Sequence, residues 1–171
     1  MTTYIALLRA VNVGGTGKLP MATLKSMCEA AGMTAVRTYI ASGNVVFDSS
    51  VSAAKVKAAL EAAMLAYAGA PVPVMVRTGA EMAQVLAANP FPEAAPNRTV
   101  AIFLDRAPPA DLEAGITGRK NEALAAGKRE IYVHYGDGMA DSRLKIPAAQ
   151  AGTARNMNTV AKLAAMAADG A

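Results

Sequence analysis

Two runs rich in β-branched and aromatic residues, 36–41 and 45–48, stand on either side of Ser42-Gly43-Asn44. Glycine and asparagine accept positive φ, so this tripeptide between two such runs specifies a β-hairpin. The flanking segments extend that commitment to an antiparallel sheet. Residues 4–11 form a short apolar run that stops at Gly14-Gly15 and reads as a buried strand. Pro20 opens a helix, with Met21, Leu24, Met27, Cys28 and Ala31 at helical spacing before Gly32 closes it. Ser52 caps a second helix whose Val56, Leu60, Met64 and Tyr67 share a face, and Gly69 stops it. The run 72–77, with Pro71 before it and Pro73 inside it, suits a sheet edge. The order is β-α-β-β-α-β.

The second half repeats part of this order. Thr78-Gly79-Ala80-Glu81 is a capping-box pattern ahead of Met82, Val85 and Leu86. Residues 99–104 make a strand, Pro109 starts a short helix carrying Leu112 and Ile116, and strands follow near 122–125 and at 130–135. An irregular stretch, 136–155, leads to a last helix on Met157, Val160, Leu163, Ala164 and Ala167. The expected fold is α+β, with two ferredoxin-like subdomains, 1–78 and 79–171, packed as one body.

Composition narrows the chemistry. One Cys and one His exclude a Cys/His zinc site, a disulfide framework and most nucleophile–base pairs, so no metal or cofactor is expected. Hydrophobic residues make up 53%, but 40 residues are alanine, so the core must rely on close contact more than on bulk. No signal-type segment or membrane-spanning run stands out, and a lone Cys28 suits a reducing compartment; a cytoplasmic protein without a membrane partner is expected. The net charge is +4, and residues 1–78 account for all of it, with seven basic and three acidic side chains. A basic half can attract phosphates or nucleic acid.

The topology points to a site in that half. A strand running up, its returning helix and a second strand running up bring the loop 12–19 and the hairpin turn 42–44 to the same end. Asn12, Lys18, Ser42 and Asn44 side chains would meet there with the amides of Gly14, Gly15 and Gly43, and Arg9 could reach in from the strand. In the other half, Arg155 is placed to grip an anion, and Asn156 is first of all a helix cap. Named motifs fail letter by letter. Leu19 follows Gly17-Lys18 where a phosphate-binding loop needs Ser or Thr, and Pro20 stands where the dinucleotide fingerprint needs Gly. His134 reads as a sheet-face side chain, and no carboxylate pair forms an acid–base couple. The sheet aromatics do not form the basic-aromatic run of an RNA reader.

Several blocks resemble the bacterial domain-of-unknown-function family numbered 1697. They are Tyr4-Ile5-Ala6-Leu7-Leu8-Arg9-Ala10-Val11-Asn12-Val13-Gly14-Gly15, Arg37-Thr38-Tyr39-Ile40-Ala41-Ser42-Gly43-Asn44-Val45-Val46-Phe47, Ser142-Arg143-Leu144 and Thr153-Ala154-Arg155-Asn156-Met157-Asn158-Thr159. The resemblance implies two ferredoxin-like subdomains and no particular activity. Ala10 stands where the family commonly has Gly, and Met157 where an aromatic is common. The leading expectation is a binding protein for a small anionic ligand, a nucleotide or another phosphate or carboxylate compound. The alternatives are a hydrolase or transferase using Ser42 or a held water, and a nucleic-acid-binding or protein-interaction module.

Overall fold

Strand β1 (Thr2–Leu8) is buried from Tyr4 onward on both of its faces, and a strand with no exposed face belongs inside a sheet. It lies between β3 (Asn44–Ser49) and β4 (Val74–Thr78), antiparallel to both, with Ala6 opposite Val45 on one side and Val76 on the other. Strand β2 (Thr34–Tyr39) pairs with β3 across the hairpin, giving the order β2-β3-β1-β4. The computed structural model describes residues 1–11, 18–136 and 142–169.

Side chains alternate across a strand, so Tyr4, Ala6 and Leu8 share one face of β1. That face packs with Val45, Phe47, Val74 and Val76 against helices α1 (Met21–Ala30) and α2 (Ala53–Ala68), through Leu24, Cys28, Val56, Leu60 and Met64. With so few large side chains in the core, each one matters: truncating Phe47 to Ala costs about 3–5 kcal/mol. The helix ends follow the sequence signals. Ser52 Oγ accepts from Lys55 N–H at 3.3 Å, and Gly69 ends α2 with φ 74° and its N–H on Leu65 O. Pro20 sits one step earlier than expected, as the N-cap whose carbonyl accepts from Thr23 and Leu24.

The second sheet has the same order, β6-β7-β5-β8, from β5 (Thr99–Phe103), β6 (Ala123–Ala126), β7 (Glu130–His134) and β8 (Thr153–Asn156). The registers also correspond. Val46, Ile5 and Arg77 form one row of the first sheet; Tyr132, Ala101 and Arg155 form the matching row of the second. Each edge arginine donates Nη1 to the carbonyl of the residue before it, at 3.0 Å to Val76 and 2.9 Å to Ala154. Each is followed by a capping residue and a helix, α3 (Gly79–Ala87) or α4 (Met157–Asp169). Thr78 and Glu81 exchange the two hydrogen bonds of a capping box at 2.8 and 3.1 Å, and Asn156 Oδ1 accepts from Thr159 N–H at 2.9 Å.

Two expectations for the second half change. The segment after Pro109 is a run of turns; Gly115 and Gly118 take φ of 75° and 71°, which interrupts helical hydrogen bonding. Leu112 still packs inward, beside Ile116, Leu144 and Ile146, against Val100, Ile102, Ile131 and Val133. The end of the supposedly irregular stretch supplies β8, the edge strand on β5. The result is a mixed α+β structure with two four-stranded antiparallel sheets and, among the described residues, four α-helices. Among those residues no helix is long and apolar enough to cross a membrane.

The chain divides into two compact units, Met1–Ala83 with Leu163–Ala171, and Gln84–Lys162. The end of α4 thus belongs to the first unit, where Arg37 Nη1 donates to Met166 O at 2.8 Å. A cation on a carbonyl of the last turn also favours the helix dipole.

Gly43 and Ala10 both adopt left-handed backbone, with φ of 89° and 55°, but only one has the residue for it. A Cβ at Gly43 would lie 2.6 Å from Val11 Cγ2 and 3.0 Å from Leu8 Cβ. Thermal unfolding should show Gly43→Ala destabilised by about 2–3 kcal/mol, from strain plus overlap. Ala10→Gly should gain about 0.5–1 kcal/mol in the same assay. Equal signs for the two would contradict this reading.

Candidate functional site

Past Leu8 the chain leaves the sheet under several restraints. Leu8 N–H donates to Gly43 O at 2.9 Å, and Arg9 N–H donates to Pro73 O at 3.0 Å. Val11 is buried against Gly43, and Leu19 is buried where the described chain resumes. Tyr67, on the last turn of α2, donates its hydroxyl to Lys18 O at 3.0 Å. These contacts bring Arg9 and Lys18 to the lining of one cavity of about 640 Å³. Its walls are otherwise largely carbon, from Val11, Met64, Val72 and Pro73 among others. Small-molecule sites run from about 300 to 1,000 Å³. An adjoining hollow of about 280 Å³ shares Pro71, Val72 and Pro73 and includes Glu61. The Glu61 carboxylate accepts from Val74 N–H at 3.0 Å and from Lys57 Nζ at 3.2 Å, which ties it to the start of β4.

The hairpin does lie at the end of β1, as the topology requires, yet it is absent from the residues lining the cavity. Asn44 is wholly buried, and its Nδ2 donates to Tyr39 O and Ser42 Oγ, each at 2.9 Å. Those bonds hold the turn, and the turn supports Leu8 and Val11. Asn12, Gly14 and Gly15 lie outside the described residues. Arg155 belongs to the second unit, buried on β8, with Nη1 also donating to Thr153 Oγ1 at 2.8 Å. Burial lowers its guanidinium to about 10, so it stays charged at neutral pH. Asn156 is the helix cap already described.

Other reactive side chains have structural surroundings. Burial, with Glu29 adding repulsion, pushes the Cys28 thiol up to about 12, which leaves almost no thiolate at neutral pH. His134 Nδ1 lies 3.2 Å from Thr99 Oγ1 across the β5–β7 pair, and its ring faces Phe91.

Glu122 had no signal in the sequence beyond its place at the start of the weak strand expected near 122–125. It is buried, with Oε2 accepting from Ser142 Oγ and Oε1 from Lys120 N–H, both at 2.6 Å. The Ser142 hydroxyl first, then the backbone donors, hold its carboxyl below the usual range. Gly118 brings the two segments together: a Cβ there would stand 2.0 Å from Arg143 O, while Thr117 and Lys145 exchange backbone hydrogen bonds. The cluster joins 117–122 to 142–145 and so closes the apolar layer over the second sheet.

Three comparisons bear on the chain as a whole. The model of a family described as "Protein of unknown function (DUF1697)" matches residues 1–132. That span takes in the blocks around Arg9 and Ser42 and ends before Ser142 and Arg155. No curated protein matches the sequence. The solved structure of the conserved bacterial protein SP0830 from Streptococcus pneumoniae superposes with a TM-score of 0.78 at 23% identity, covering 97% of this chain and 98% of that one. That likeness establishes the fold alone.

Because Glu122 has a lowered carboxyl in the folded state, its contribution is complete above the ordinary value of 4.5 and drains away as the pH falls through the folded value. Melting temperature should therefore drop more steeply below pH 4.5 in the natural chain than in Ser142→Ala, which starts lower at neutral pH. Parallel curves would show that Ser142 does not stabilise the ionised carboxyl.

Proposed function

The chain belongs to the DUF1697 family of proteins of unknown function, so its role has to come from its own chemistry, and we propose that it binds a small anionic ligand at the end of β1. The observation that carries this reading is the convergence of Arg9 and Lys18 on one largely apolar cavity with no acidic side chain among its described lining residues. Carbon walls beside half-buried Arg9 and exposed Lys18 lower the local dielectric, so an anion gains more from the two cations there than in open water. An arginine fork suits a carboxylate or phosphate, and a lysine adds a point charge.

In this reading Arg9 and Lys18 touch the ligand. Gly43 and Asn44 support the chain that carries Arg9, with Ser42 as their partner in the turn. Asn12, Gly14 and Gly15, between Arg9 and Lys18 in sequence, join the proposal on sequence grounds. Arg155 and Asn156 serve the edge of the second sheet and the start of α4. The architecture fits the same picture. The order β2-β3-β1-β4 on a β-α-β-β-α-β chain supports reading the first unit as ferredoxin-like; the second shares the strand order with irregular cover in place of two helices.

A thermal-shift panel of nucleotides, sugar phosphates and organic acids should find a stabilising anion. Calorimetric titration of that compound should then weaken about tenfold or more in Arg9→Ala and in Lys18→Ala, because each removes a charge-assisted contact. Unchanged affinity in both variants would overturn the site.

A further inference from the structure

We infer that Glu61 is a positioning residue for Arg9, an inference that rests on the anion-binding reading above. Pro73 C=O and Val74 N–H belong to one peptide unit, and a peptide unit moves as a rigid plane. That plane is held from both sides. Arg9 N–H donates to Pro73 O at 3.0 Å, and Val74 N–H donates to Glu61 Oε2 at 3.0 Å. Because the two bonds share the plane, Glu61 orients the carbonyl on which the Arg9 backbone rests. A carboxylate on the N–H also polarises the peptide and strengthens the bond its carbonyl accepts. Pro71 and Pro73 fix φ on the approach to this peptide, which stiffens the link. Glu61 is held in turn by Lys57, one turn earlier on α2, whose Nζ donates to the same Oε2 at 3.2 Å.

The charge on Glu61 separates this role from a direct one. Glu61 lines the hollow that shares Pro71, Val72 and Pro73 with the cavity of Arg9 and Lys18. A carboxylate beside an anion site opposes binding by its charge, and the Lys57 partner offsets part of that field. The two effects of Glu61 on an anion therefore have opposite signs. Removing only its charge should preserve or raise affinity. Removing its acceptor oxygen should lower affinity, and only through Arg9.

Magnetic resonance of the isotope-labelled full chain reads both the backbone and the binding, with inorganic phosphate and acetate as probes. Glu61→Ala should speed amide exchange at Arg9 about tenfold or more, while Leu8, bonded to Gly43 on the other side, keeps its rate. The same variant should weaken binding about three- to tenfold, because the charged contact of Arg9 is displaced. Glu61 is partly exposed on a helix and alanine is a good helix former, so the variant keeps its fold. Glu61→Gln, whose single amide oxygen can accept both bonds, should keep the natural exchange rate and bind at least as tightly as the natural chain. In the Arg9→Ala chain, Glu61→Ala should cost no further affinity. Binding in Glu61→Ala as tight as in the natural chain, or tighter, with Arg9→Ala weakened, would overturn the positioning role and leave the anion site standing. An equal loss with and without Arg9 would do the same. Binding of neither probe, or binding indifferent to both Arg9 and Lys18, would overturn the site and this inference together.

Discussion

Everything at the candidate end of the first unit depends on how β1 stops. Its last four residues, Ile5 to Leu8, are fully buried and flanked by strands on both sides, so the chain cannot drift out of the sheet gradually. It turns instead within two residues. Leu8 is tied to Gly43 on one side, Arg9 to Pro73 on the other, and Ala10 takes a left-handed conformation. Only a residue without a Cβ lets the hairpin come this close to Val11. The close approach fixes the backbone of Arg9, and Tyr67 fixes that of Lys18 from the helix on the other side. Two cations thereby come to the lining of one cavity through backbone restraints.

The account divides the work at this end between support and contact. Asn44 Nδ2 donates to Tyr39 O and Ser42 Oγ within the turn, and the turn, so conspicuous in the sequence, is absent from the cavity lining. Much of the described carbon wall comes from residues in no motif, at the end of α2 and in the short link into β4. A similar division holds in the second unit. Arg155 and Asn156 have the chemistry of an anion site, and each also makes hydrogen bonds within its own strand edge or helix cap.

Local chemistry explains what was legible in the sequence. The Ser42-Gly43-Asn44 turn, the Ser52 cap and the Thr78–Glu81 box are set by residues within a few positions of one another, and each formed as expected. Strand β8 was hidden because Thr-Ala-Arg-Asn is short and polar; only pairing with β5 makes it a strand. The segment after Pro109 carried apolar spacing that suits a helix, but packing needed only Leu112 and Ile116 inward, and glycines at 115 and 118 set the path. Glu122 escaped notice because its partner Ser142 is 20 residues away, and no short-range pattern encodes that pair. The cavity escaped for the same reason: its described walls combine residues 9–11 and 18–19 with the distant 64–73. Ala10 is the reverse case, a position where the family resemblance anticipated glycine and the backbone has the conformation glycine favours.

Amide chemical-shift mapping of the isotope-labelled chain, titrated with the anion that most raises the melting temperature, tests the central claim most directly. The account predicts shifts concentrated at residues 9–11, 18–19 and 67–72, with those at 153–159 unmoved. Shifts centred on 42–44 or 153–159, with 9–11 and 67–72 silent, would contradict it.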